Sequence, residues 1–269
     1  MNLEDLDLGS DSRSITRHRL GHIYLIGLNR VPKRNAFDLD MREQLAFAYG
    51  EMERDPEVRC GVLYAHGDHF TGGLDLGQVS DALQSGKGGI PEGGVDFRGF
   101  YTEHRSKPMV CALQGWCLTL GIEIALATDV RVAAEDSRFS QMEVGRGIYP
   151  FGGATIRFPR EVGWGNAMRW ILTGETFDVR EAHRMGLVQE VVPVGTQLRR
   201  AVEIANSICA QAPLGVQTAL RSSLRAVREG EMVAAAQLVP EMVALLDSED
   251  AAEGRQSFIE RRPARFAGK

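Results

Sequence analysis

At 269 residues the chain is long enough for one elaborated α/β domain, or for one domain with an appendage. Apolar residues make up 43% and charged residues 25%, the usage of an ordinary globular protein, which excludes the disordered and collagen-like classes. The formal net charge of −5 offers no basic footprint for nucleic acid, so a polyanionic ligand would have to be met by a local basic patch. In chain order the first element is a polar leader, residues 1–14, acidic and lacking the apolar stretch of a signal peptide or the basic character of a transit peptide.

Residues 15–29 hold the apolar run IYLIGL between turn-formers and predict a hairpin or strand pair. From Asp38 the spacing turns helical, with Leu45, Ala48, Tyr49 and Met52 on one face, Asp40 and Glu43 spaced like a capping box, and a stop before Pro56. CGVLYAH, residues 60–66, reads as a strand feeding the glycine-punctuated loop GDHFTGGLDLG, the kind of junction that builds binding sites. Residues 80–97 include SGKGGIPEGG and predict an irregular, poorly ordered flap. MVCAL (109–113) reads as a buried strand, residues 120–128 as an almost wholly apolar helix, and VRVAA (130–134) as another strand. Strands alternating with helices every 30 to 45 residues imply stacked βα units and an α/β fold.

Beyond Pro193 the strand signal vanishes. Leu198, Ala201, Val202, Ala205, Ile208 and Cys209 form one helical face, and Val216, Leu220, Leu224 and Val227 a second, separated by Pro213. Residues 232–246 are apolar nearly all round, which a solvated helix should not be, so packing against another subunit is expected. The reading therefore divides the chain into the leader (1–14), an α/β core (15–197) and a C-terminal helical region (198–269). No apolar run reaches the ~20 residues that span a bilayer. The four cysteines form neither a CxxC pair nor a metal-ligand spacing, so reduced thiols in a cytoplasmic protein are expected.

Glu123 is the most informative residue. It is a single carboxylate inside the apolar run LTLGIEIALA, and burying an unpaired carboxylate costs several kcal/mol. Such a group must be paired, protonated or used. Glu143, in FSQMEVGRGIYPFGGAT, is by itself an ordinary residue ahead of a glycine-rich turn. His66 and His69 have no third ligand near them and make a poor metal pair, and no metal site is expected. There is no nucleophile elbow, no Walker A loop and no dinucleotide-binding GxGxxG.

Five segments in order resemble the motifs of the enoyl-CoA hydratase/isomerase (crotonase) family: LNRVPKRNAF (28–37), HFTGGLDL (69–76), VCALQGWCLTLGIEIALATDVRVAAEDSRFSQMEVG (110–145), LTGETFDVREAHRMGLVQEVVP (172–193) and SEDAAEGRQSFIERRPARF (248–266). The resemblance spans roughly residues 15–266. It implies a crotonase-like spiral of stacked ββα units with a C-terminal helical trimerisation region, assembling as a trimer or a dimer of trimers.

By that resemblance, Leu74 and Leu120 are the positions whose backbone N–H groups form an oxyanion hole, the second at a helix N-terminus. Two such donors aimed at a thioester oxygen stabilise developing enolate charge. The family usually has glycines where this chain reads Thr119-Leu120-Gly121. Glu123 and Glu143 match the two glutamates that flank a bound water, and two carboxylates in one pocket cannot both ionise easily. One is then acid and one base, without the sequence saying which. The residues matched to coenzyme A and substrate are Lys33, Arg34, Ala36, Gly73, Asp75, Leu76, Trp116, Pro150, Phe258 and Arg261, with Arg262 beside the last and Phe258 expected beside the adenine, from a neighbouring subunit. Coenzyme A is part of the substrate and no separate cofactor is expected. The implied activity is hydration of a 2-enoyl-CoA thioester. Alternatives are a Δ3-Δ2 enoyl-CoA isomerase or another acyl-CoA reaction of the family, an RNA-binding member, which the acidic composition disfavours, and a catalytically silent scaffold.

Overall fold

The computed structural model describes residues 12–86, 89–102 and 105–269, together with Leu3 and Leu8 and apart from the Leu83 side chain. Most of the polar leader, and Lys87 and Gly88 of the expected flap, lie outside the described residues.

The main sheet has six strands. β1 (Ile15–Leu20) and β2 (Ile23–Leu28) form the antiparallel hairpin expected from the apolar run, turning at Gly21 with φ +59°. β3 (Cys60–Ala65) and β4 (Met109–Leu113) then add in parallel. Both are buried at every position, as parallel strands covered on two faces must be. β5 (Trp116–Leu118) follows β4 at once and belongs to a second sheet. β6 (Val130–Ala134) returns to the first sheet, β7 (Arg138–Ser140) and β8 (Phe177–Asp178) extend the second, and β9 (Glu190–Val192) closes the first beside β6. The main sheet thus reads β1-β2-β3-β4-β6-β9 and the second β5-β7-β8, and the two central units, β4-β5 and β6-β7, each place one strand in each sheet before a helix. This is the expected α/β spiral. The short strands β5, β7, β8 and β9 escaped the sequence because two or three residues show no period.

α1 (Leu39–Arg54) covers one face of the sheet and buries Met41, Leu45, Ala48, Tyr49 and Met52. Its cap differs from the expected box: Asp38 is the N-cap and accepts from Met41 N at 2.9 Å. Asp40 instead lies in the first turn and accepts from Ser14 Oγ. The expected flap is partly structured. α2 (Leu76–Gln84) takes up its start, while Val95 N donates to Ala46 O and Phe97 packs against Phe37 and Tyr49 at its end. α3 (Leu120–Ala125) is shorter than the apolar run predicted and is wholly buried. α4 (Ala154–Val162), α5 (Trp164–Thr173) and α6 (Val179–Arg184) follow, with Phe139, Phe158, Trp170 and Phe177 stacked among them.

α7 (Gln197–Cys209) packs Ala201, Val202, Ala205 and Cys209 on the other face of the sheet, against Val62, Val110 and Val132. α8 (Pro213–Glu229) and α9 (Glu231–Leu246) pair as a hairpin, and α10 (Glu249–Glu260) is followed by residues 261–269. α9 runs through Pro240 and buries little but Ala234, leaving Met232, Leu238, Val239, Met242, Val243 and Leu246 exposed. Among the described residues no helix is long and apolar enough to cross a membrane.

Candidate active site

A cavity of about 370 Å³ opens where the loop after β3, the start of α3 and a 3-10 turn at Met142–Arg146 converge. Its walls bring together eight of the expected residues: Lys33, Ala36, Leu74, Asp75, Leu76, Leu120, Glu123 and Glu143.

The main chain around Leu74 is fixed by Phe37, whose amide donates to Gly73 O and whose carbonyl accepts from Asp75 N, at 2.8 and 2.9 Å. Successive amides of an extended segment point in opposite directions, so Leu74 N–H turns away from Phe37. Gly73 has φ +91°, and a Cβ there would lie 1.9 Å from Thr119 Oγ1. The close approach of the two loops therefore needs glycine. On the other side Thr119 adopts φ +51° and launches α3, leaving Leu120 at its first position, where an amide has no intrahelical acceptor. Among the described residues neither the Leu74 nor the Leu120 amide has a hydrogen-bond acceptor, and both residues line the cavity.

Glu123 follows Leu120 by one turn of α3 and is 4% exposed. Its Oε1 accepts from Gly152 N at 2.7 Å and Ala154 N at 3.2 Å, where the chain enters α4. Burial pushes the carboxyl above the usual range, while the amides of residues 152–154 and the charge of Arg98 pull it back. Glu143, on the 3-10 turn, is 6% exposed and is pushed up to about 7, first by burial and then by the charge of Glu123. The Gln141 side-chain amide, oriented with its nitrogen toward Glu143, donates to both carboxylate oxygens at 2.9 Å. The two acids thus share one cavity with unequal partners: Glu123 is held by main-chain donors, and Glu143 by the side-chain amide of Gln141.

Lys33 lies on the wall without an acidic partner among the described residues. Asp75 is held by Arg30 at 3.0 Å, which also pairs with Asp38. Arg34, at φ +51°, and Gly73 flank the cavity without lining it. Trp116 is spent on β5, where its carbonyl accepts from Thr71 N. Pro150 is buried beside the wall, and its neighbour Phe151 takes the lining position. Phe258 and Arg261, on and just after α10, are exposed and stand outside the cavity of their own chain. Six further residues line it: Gly72, Thr119, Met142, Arg146, Ile148 and Phe151. For Arg146, Ile148 and Phe151 the signal was the glycine-rich turn after Glu143, where residues three apart on a 3-10 turn, such as Glu143 and Arg146, fall on one side. His66 is tied into the fold, with Nε2 2.9 Å from Thr16 Oγ1 and its carbonyl accepting from Asn35.

The model of the enoyl-CoA hydratase/isomerase family matches residues 19–269. An enoyl-CoA hydratase of Mycobacterium tuberculosis is 32% identical over 260 residues, covering 93% of this chain and 95% of its own. A short-chain-enoyl-CoA hydratase of Clostridium acetobutylicum is 33% identical over 245 residues, covering 90% and 93%. Among solved structures, a probable enoyl-CoA hydratase/isomerase from Mycobacterium abscessus superposes with a TM-score of 0.93 at 52% identity, covering 95% of this chain and 99% of that one. With two-sheet topology, cavity and sequence agreeing, the chain belongs to the enoyl-CoA hydratase/isomerase family.

Proposed function

We propose that this family member adds water across the 2,3 double bond of an enoyl-CoA thioester. The observation that carries the reading is the meeting of two buried glutamates, Glu123 and Glu143, in one cavity with two unsatisfied amides, Leu74 and Leu120. In this reading the thioester oxygen accepts from both amides, which stabilise the enolate as charge develops, each donor contributing about 3 kcal/mol. Glu123, held by Gly152 and Ala154, is the ionised partner that takes a proton from water as its oxygen attacks the β-carbon. Glu143, whose burial retains a proton near neutral pH, delivers one to the α-carbon. The two groups titrate as a pair, so a measured profile belongs to both.

The thioester's coenzyme A portion meets Lys33, Ala36, Asp75 and Leu76 on the same wall, with Arg34 and Gly73 flanking them and Trp116 and Pro150 supporting the site from behind. Phe258 and Arg261 reach the coenzyme of a neighbouring copy. That arrangement draws support from the exposed apolar side of α9, which a trimer or dimer of trimers would cover. The setting proposed is the cytoplasm.

Purified protein offered a conjugated 2-enoyl-CoA and its 3-enoyl isomer tests the reaction. Loss of the conjugated absorbance with formation of a 3-hydroxyacyl-CoA is expected. Turnover of the 3-enoyl compound alone would make the enzyme an isomerase, and turnover of neither would remove the hydratase reading.

A further inference from the structure

We infer that Arg157 is a positioning residue for Glu123, acting through the turn at residues 96–101, and that this turn makes the two carboxylates of the cavity unequal. The inference rests on the water-addition reading, in which Glu123 is the base.

The turn is tied internally by Asp96, which is 2% exposed. Its carboxylate accepts from Arg98 N and Nε at 3.1 Å, from Phe100 N at 2.9 Å and from Tyr101 N at 3.2 Å. Arg157, on α4, fixes the turn from outside. Its Nη2 donates to Arg98 O, and its guanidinium lies 4.2 Å above the Phe100 ring. The Phe100 ring in turn packs on Gly153, so closely that a Cβ there would come within 2.5 Å of a ring carbon. Gly153 sits between Gly152 and Ala154, the two residues whose amides grip Glu123 Oε1. A run of contacts therefore leads from Arg157 through the turn to the carboxylate.

The turn also brings a charge. Arg98 is 8% exposed, paired with Asp96, and favours the ionised form of Glu123. Glu143, which lines the same cavity, is electrostatically coupled to Glu123. Lys33, Asp75 and Arg146 lie further along the walls. Glu143 is raised by burial and by the charge of Glu123, against its own backbone amide and the Gln141 side-chain amide.

Arg157 itself is poorly satisfied. It is 7% exposed and its Nη1 has no acceptor among the described residues. Burial and the charges of Arg160 and Arg228 lower it to about 10, so it remains protonated at neutral pH. A buried guanidinium left so costs stability, whereas an apolar residue of similar volume would not. What only a flat, forked cation supplies here is the simultaneous grip on Arg98 O and the Phe100 face.

The test compares Arg157→Gln, Arg157→Lys and Arg98→Gln with the parent, using Arg160→Gln as a control outside the chain of contacts. Hydration of a 2-enoyl-CoA is followed across pH. Arg157→Gln and Arg98→Gln should move the acid limb of kcat/KM up by about one pH unit, lowering the rate about tenfold below it, with KM changed less than about threefold. Arg157→Lys should recover part of the shift, and Arg160→Gln should match the parent. A folded, active Arg157→Gln with the parental profile, or with a rise in KM alone, would overturn the inference. If Arg157→Gln does not fold, Arg98→Gln decides, because it leaves α4 intact: no shift there overturns the inference equally. Carbon-13 titration of the glutamate carboxyls in a Glu143→Gln background reads the Glu123 transition without turnover. It separates failure of this inference from failure of the hydratase reading.

Discussion

Gly152 and Glu123 fit each other with no room to spare: the glycine amide donates to Oε1 at 2.7 Å, and a Cβ on that glycine would stand 2.2 Å from Oε2. A methyl group at residue 152 must therefore displace the carboxylate or the entry to α4. Gly152→Ala is expected to lower kcat about a hundredfold while the thioester still binds, and to destabilise the fold by about 1–3 kcal/mol. Steady-state kinetics and thermal denaturation of the same preparation check both halves.

Replacing either acid with its amide keeps shape and removes proton transfer. Glu123→Gln and Glu143→Gln should each lower kcat by about 10²–10⁴ and leave the circular dichroism spectrum unchanged. The double variant should fall little further than the worse single one, because the two act on one water. Full activity in either single variant would be incompatible with the proposed chemistry, and an active parent already excludes a silent scaffold.

Glu143 also carries a stability cost with a definite pH sign. Its folded value of about 7 lies above the ordinary 4.5, so the folded state binds more protons between the two. Stability contributed by this group is therefore full below about pH 4.5 and is lost as pH rises through 7. The loss is about 1–3 kcal/mol after allowing for solvent reaching the open cavity. Glu143→Gln should accordingly be more stable than the parent at pH 8 and gain nothing at pH 4.5. Urea denaturation at the two pH values measures the difference.

The α9 surface predicts assembly. Val239 is 64% exposed in the middle of a helix whose outer side also shows Leu238, Met242 and Val243. A charge placed there should oppose burial against another copy without disturbing the core. Val239→Glu is expected to shift the protein from a trimer or larger to a monomer in sedimentation equilibrium, with its secondary structure retained. A parent that sediments as a monomer would refute the expectation.

The strands of the main sheet from β1 to β6 and the long helices were legible because buried parallel strands are continuous apolar runs and amphipathic helices repeat every three to four residues. Glu123 was legible as an anomaly, a carboxylate where only apolar side chains belong. Glu143 had no such mark, because its burial is produced by residues distant in sequence. Phe258 and Arg261 show the opposite case: the motif named them, yet within one chain α10 holds them away from the cavity.

By itself, then, the sequence determined the α/β class, the family motifs and the one buried acid, since period and apolar content are local properties of the chain. Tertiary structure alone decided that Gly152 and Ala154 hold Glu123, and that Arg157 grips the 96–101 turn whose Phe100 packs on Gly153. Hydrogen-bond direction and desolvation depend on which distant segments meet, and no local pattern encodes that meeting.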